Sequence, residues 1–243
     1  MFRFRTLLGM AGVASVIFTV EPVSASTVSI RPYLSTNVHS MHLTVNVVSA
    51  NQAELKKIGG DFATTYKFRK LTFSYMQPGM MRYEANIMGA RVAYTLNGNE
   101  KYISIPAAHI HQEENVTNAP GKKQSLLDIG LVPPELLSEY NVTYLRKDGA
   151  LLVFQIRSKL PSETTKDIIW MDPKTHITTR RMHFNRAGQL EKWFIYTSPL
   201  PAGYGVYVPS RVEVYNSENK LAAVSSYTYI KVNGPMDPDI FTF

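Results

Sequence analysis

With 243 residues, 44% of them hydrophobic, the chain is long enough to bury a core, and its lack of cysteine excludes disulfide frameworks and cysteine-based metal sites. A formal charge of +7 is spread along it, with basic pairs at Lys56-Lys57, Lys122-Lys123 and Arg180-Arg181. Such a balance suits phosphate headgroups or an acidic partner surface, but no nucleic-acid motif accompanies it, so no nucleic acid is expected as partner.

The N-terminus reads as an export leader. Arg3 and Arg5 precede an apolar run over residues 7–20, and Val23-Ser24-Ala25 offers small side chains for cleavage after Ala25. That run is too short and too rich in alanine and glycine to be preferred as a spanning helix. The expectation is a signal peptide over 1–25 and a single soluble, monomeric domain over 26–243 in a periplasm-like compartment. Losing Arg3, Arg5 and Glu21 with the leader lowers the charge to +6.

In the stretch 31–58, Val45, Val48, Leu55 and Ile58 recur at multiples of three and four, and residues 50–57 have good helix composition. A helix is expected over the later part, stopped by Gly59-Gly60. After Asp61 the period changes to two. Residues 66–76 form the first expected strand, and Pro78-Gly79 turns it. Met81, Tyr83, Ala85 and Ile87 then alternate with Arg82, Glu84 and Asn86, the pattern of a half-buried strand. Strands over 92–96 and 102–105 flank Asn97-Gly98, a strong hairpin signal. Residues 109–121 are polar and read as an exposed loop.

Next comes an apolar, helix-like segment, residues 119–140, alone in a long run of strand and turn. Leu126, Leu127 and Ile129 make one helical turn. Leu131 and Val132 lead into Pro133-Pro134, and Leu136, Leu137 and Tyr140 make another. Further strands are expected over 142–146, 151–157, 166–171, 176–184, 189–196, 206–215 and 221–232. The total is about eleven, joined by short connections and therefore antiparallel. A wall of that size encloses more space than its own side chains fill. Helical pieces plug part of it, and the remainder is an apolar cavity or a trough under a removable cover. That arrangement suggests a carrier of a hydrophobic ligand rather than an enzyme.

Candidate ligand contacts follow from this picture. The cover supplies Leu126, Leu127, Ile129, Leu131, Leu136 and Leu137; the sheet supplies Met81, Tyr83, Ile87 and Tyr94, with Trp170 and Phe194 from the second half. Each suits a packed core equally well, and alternation does not say which face is concave. His109, His111 and Glu113 alternate as metal ligands could, but no fourth ligand lies nearby and no metal site is expected. Ser217-x-x-Lys220 has the spacing of a nucleophile pair but falls in a hairpin turn, so no catalytic residue is assigned.

Several motifs in order resemble the LolA-like, outer-membrane lipoprotein-sorting family. They are Pro78-x-x-x-Arg82-x-Glu84, Asn97-Gly98-x-x-x-Tyr102 with Pro106, Trp170-x-Asp172-Pro173-Lys174-Thr175, Arg180-Arg181, Gly188, Val208-Pro209-x-Arg211 and Asp239-Ile240-Phe241. What the resemblance implies is mainly β structure: a strongly curved, unclosed antiparallel β-barrel of about eleven strands, with helices over its concave face. It also implies periplasmic binding of acyl chains of lipoproteins or lipids without catalysis and with no cofactor, between an inner-membrane donor and an outer-membrane acceptor. In that family an arginine on the sheet can hold the cover by hydrogen bonds, and Arg82 is the candidate latch here. The same fold serves envelope-sensing modules, which is the alternative function, and a metal-dependent hydrolase using the His109 loop is the third.

Overall fold

The computed structural model describes residues 28–87, 89–106 and 109–242; the expected leader over 1–25 lies outside them. The first strand, β1 (Ser40–Ala50), is followed by two short helices, α1 (Gln52–Ile58) and α2 (Gly60–Thr65). From there β2 (Lys70–Met76), β3 (Met80–Ile87), β4 (Ala90–Asn97), β5 (Glu100–Ile105) and β6 (Ile110–Asn115) step outwards, each pairing with the one before. The second half runs β7 (Tyr140–Asp148), β8 (Leu151–Ser158), β9 (Lys166–Met171), β10 (Thr178–Phe184), β11 (Leu190–Pro201), β12 (Tyr207–Asn216) and β13 (Leu221–Val232). These step back until β13 pairs with β1, giving one antiparallel sheet in the order β6-β5-β4-β3-β2-β1-β13-β12-β11-β10-β9-β8-β7. Among the described residues β6 and β7 are free edges, so the barrel is unclosed.

Thirteen strands are described where the sequence suggests about eleven. The additional two are β1 and β6. In β1 the residues Met41, Leu43 and Val45 are buried at period two, a signal hidden by the helical spacing of Val45 and Val48 with the residues beyond. Strand β6 is a polar edge strand whose side chains are nearly all exposed, so it has no hydrophobic alternation to read. The expected helix is α1, with Asn51 as its N-cap, its Oδ1 accepting from the backbone N–H groups of Ala53 and Glu54 at 3.1 and 3.3 Å. Gly59 ends α1 as expected, while Gly60 opens a second helix, α2, that the sequence pattern did not announce.

Register shifts break the β1–β13, β7–β8, β9–β10, β10–β11 and β12–β13 ladders. Each such bulge bends and twists its strand, which gives an open sheet its curvature. Two apolar clusters fill the inner side. The larger joins Met41, Leu43, Phe73, Tyr75, Met81, Tyr196, Val212 and Val214 with Leu55 of α1. The smaller joins Leu152, Phe154, Ile156, Ile169 and Met171 with Ile30 and Leu34. On the outer side a turn near the C-terminus, Pro238–Phe241, packs on β3 and β4 and buries Phe241 completely.

Candidate functional site

Between the two free edges the chain crosses the concave side through the apolar segment 116–139. Leu126, Ile129 and Leu131 enter the larger cluster, while Leu127, Val132 and Leu136 enter the smaller. The segment therefore ties the two halves together. Leu137 is half-buried against the smaller cluster.

Local chemistry fixes its shape. Ser125 caps a single 3₁₀ turn, Leu126–Ile129, with Oγ accepting from Leu127 N–H at 3.2 Å, while Asp128 Oδ2 accepts from Ser125 N–H at 3.0 Å. The turn ends at Gly130, whose φ of 91° lies in the left-handed region. Leu131 N–H donates to the Leu126 carbonyl at 3.0 Å and Gly130 N–H to the Leu127 carbonyl at 3.1 Å, a Schellman-type closure. After Pro133 and Pro134, Leu136–Glu139 forms a short α turn.

Polar bonds then fasten the segment to the sheet. Arg181, on β10, donates from Nη1 to Asp128 Oδ1 at 2.7 Å and from Nε to Asp167 Oδ1 at 2.9 Å; His183 Nδ1 lies 3.1 Å from the same Asp167 oxygen. Burial on its own would raise the Asp167 carboxyl, but the Arg181 charge and the His183 contact hold it far below the usual carboxylate range. Tyr196 OH donates to the Leu127 carbonyl at 3.1 Å, Tyr75 OH to Glu135 Oε1 at 2.7 Å, and Thr178 N–H to the Gly130 carbonyl at 2.8 Å. Tyr75, Tyr83, Tyr94 and Tyr196 are all shifted upward, first by burial, so the hydroxyls on this side stay neutral at physiological pH.

Beneath the segment lies a cavity of about 280 Å³. Tyr75, Met81, Leu96, Leu127, Leu136 and Ile156 form its apolar wall, and Glu135, Asp167, Arg181 and His183 face it from the polar side. A second hollow, about 500 Å³, lies under the C-terminal stretch and is lined largely by polar side chains such as Ser40, His42, Ser74, Arg82 and Glu84. Among the described residues no three His, Cys, Asp or Glu side chains are placed to hold a metal ion, and His109, His111 and Glu113 lie at or beside the β6 edge. No described helix is long and apolar enough to cross a membrane.

Of the residues singled out from sequence, Met81, Leu127 and Leu136 line the cavity. Leu126, Ile129, Leu131 and Phe194 are buried in the larger cluster, with Tyr83 and Tyr94 packed against it. Ile87 ends β3, and its side chain lies outside the described set. Trp170 points the other way from Ile169 and Met171: its Nε1 donates to Asp148 at 2.8 Å, and the guanidiniums of Arg146 and Arg180 lie over its ring. Arg82 also faces outwards, bonded to Glu84, Thr95 and the Ile240 carbonyl. It fastens the C-terminal turn, not the crossing segment, because it shares a strand face with Glu84 and not with Met81 and Tyr83. The arginine that bonds the crossing segment is Arg181. Sequence signals for it existed: Arg180-Arg181 sits on one strand, so one of the pair must face inwards, and Ser125-x-x-Asp128 has capping-box spacing.

No protein-family model and no curated protein matches the sequence significantly. Solved structures do match in shape. A LolA superfamily protein from Nitrosomonas europaea superposes with a TM-score of 0.59 at 13% identity, covering 87% of this chain and 94% of that one. A domain from Vibrio parahaemolyticus assigned to outer-membrane lipoprotein sorting gives 0.55 at 10% identity, over 87% and 92%. A DUF1329 family protein from Desulfovibrio piger gives 0.50 at 11% identity, over 84% and 90%. With the open, bulged antiparallel sheet and the segment across its hollow, these likenesses establish that the chain has the LolA-like fold.

Proposed function

We propose that the protein is a non-catalytic periplasmic carrier that takes up the acyl chains of lipids or lipid-modified proteins and moves them towards the outer membrane. The carrying observation is the crossing segment: apolar side chains buried in both clusters, yet held to the sheet by polar bonds centred on Arg181.

Energetics support an exchange of cover for cargo. Six buried apolar side chains at about 2 kcal/mol each give the closed segment about 12 kcal/mol of burial. A sixteen-carbon chain at about 0.8 kcal/mol per methylene represents about 13 kcal/mol. At about 280 Å³ the cavity beneath the cover lies just under the roughly 300–1,000 Å³ of pockets that hold drug-sized ligands, so a sixteen-carbon chain would crowd it. Binding therefore requires the cover to swing aside, with cargo taking over the surface the cover leaves, and the two states stay close in free energy.

The test is mass spectrometry of lipid extracted from protein purified gently from a membrane-containing lysate. Acyl-chain lipid near one equivalent per protein is expected. Protein that emerges lipid-free and does not bind a fluorescent fatty acid would end the proposal.

A further inference from the structure

Among the described residues eight large apolar side chains are left in solvent, and three of them, Leu200, Tyr204 and Tyr207, are 46, 66 and 38% exposed on the β11–β12 hairpin. No charged residue occurs between Lys192 and Arg211. The far half of the hairpin is also paired with neither neighbour. Pairing of β11 with β10 stops at Ile195, pairing of β12 with β13 begins at Arg211, and beyond those points Pro199, Leu200 and Pro201 pair only with Pro209, Val208 and Tyr207. Backbone bonds from Ala202 N–H to Val206 O and from Val206 N–H to Gly203 O, at 2.8 and 2.9 Å, hold the tip. Val206 and Val208 root it in the larger cluster, and Asn37 Nδ2 reaches the Tyr204 carbonyl at 3.5 Å. The result is a rigid two-stranded tongue with a greasy, uncharged end.

We propose that this tongue docks on a lipid bilayer, seating Leu200, Tyr204 and Tyr207 in the headgroup boundary. Three arguments select a bilayer over a protein partner. The exposed apolar area of these side chains is about 300 Å², well below the roughly 1,000 Å² that a specific protein interface needs. Tyrosine, with an apolar body and a polar end, suits the depth where lipid meets water, and neither tyrosine hydroxyl has a hydrogen-bond partner among the described residues. Thirdly, Arg31, Lys174 and Lys231 are exposed and without ion pairs at the same end of the sheet, where the Tyr33–His176 ring contact at 5.5 Å joins the Arg31 turn to the β9–β10 turn. The carboxylates of Asp172 and Asp237 lie there too; they accept from the backbone N–H groups of Lys174 and Asp239 and keep their negative charge. Three cations against two carboxylates leave this end slightly positive, so anionic headgroups are mildly favoured and neutral ones are bound through the apolar tip.

Docking does not depend on cargo, so it is read separately from lipid carriage, on delipidated protein without the expected leader over 1–25, whose apolar run would bind vesicles by itself. The chain contains no cysteine, which lets Tyr204→Cys carry a single environment-sensitive fluorophore. Phosphatidylcholine vesicles doped with phosphatidylglycerol should blue-shift that label, while a label on Ser217→Cys, in the β12–β13 turn, stays unshifted. The triple change Leu200→Ser, Tyr204→Ser and Tyr207→Ser should lower vesicle co-flotation by about tenfold or more without altering the unfolding temperature. A label that stays in water while the protein floats assigns binding to another surface and overturns the proposal. So does a blue shift on concentrating the protein without vesicles, which would mean a second copy covers the tongue.

Discussion

Asp128 uses its two oxygens for different purposes: Oδ2 closes the capping box on Ser125, and Oδ1 accepts from Arg181. One carboxylate thus shapes the cover's turn and fastens it. Arg181 and Asp167 each keep only 13% of their side-chain surface exposed, so this is a buried ion pair, and removing one partner strands the other. Arg181→Met should cost about 3 kcal/mol in denaturant unfolding. The pH dependence has a definite sign. Because the folded Asp167 carboxyl sits below its unfolded value, its stabilisation is complete above about pH 4 and is lost as pH falls through the depressed value. The gap in melting temperature between wild type and Arg181→Met should accordingly narrow towards acid. A constant gap down to acid would show that the ion pair is not the source of the loss.

Elements differ in how openly their residues declare them. The helical turns around Pro133-Pro134 were legible because proline and leucine punctuate a run that is otherwise strand and turn. Alternation identified β3 and the Asn97-Gly98 hairpin for the same local reason. It failed at β6, which as an edge strand buries almost nothing, and at β1, where two periodicities overlap. It also could not orient Trp170, since both faces of β9 carry apolar or long side chains and only tertiary packing decides which is covered; for Arg82 alternation already grouped it with Glu84 on the polar face, and the resemblance alone suggested a latch. Gly130 marks where an element depends on one residue. A Cβ there would lie 3.0 Å from Pro209 Cγ and Tyr196 Cδ1, on top of the cost of a positive φ. Gly130→Ala should destabilise by about 1–3 kcal/mol in urea unfolding and loosen the 3₁₀ turn, read as faster amide exchange at Leu131. Unchanged stability would show that the turn can be rebuilt without the left-handed residue.

At the scale of the whole molecule, the path of the chain is the main fact. Starting from the middle of the sheet, it reaches one edge at β6, crosses the hollow, and returns from the other edge at β7. Charged, exposed residues such as Glu113, Arg146 and Lys147 occupy those edges and discourage pairing with other chains. A ligand that binds the folded state should stabilise it by mass action, about 2.7 kcal/mol at a hundredfold excess over Kd, or about 5–10 °C in Tm for a domain of this size. Thermal scans with a saturating fatty acid or lysolipid measure this, and no shift would argue against an acyl site under the cover.

Because the crossing segment is anchored at opposite rims, it behaves like a string drawn over a bow, not like a flap on one hinge. Slackening the string relaxes the limbs, so swinging it aside for a fatty tail must alter the bend of the wall itself. The convex back, far from any cargo, would then carry a readable sign of whether the vessel is full.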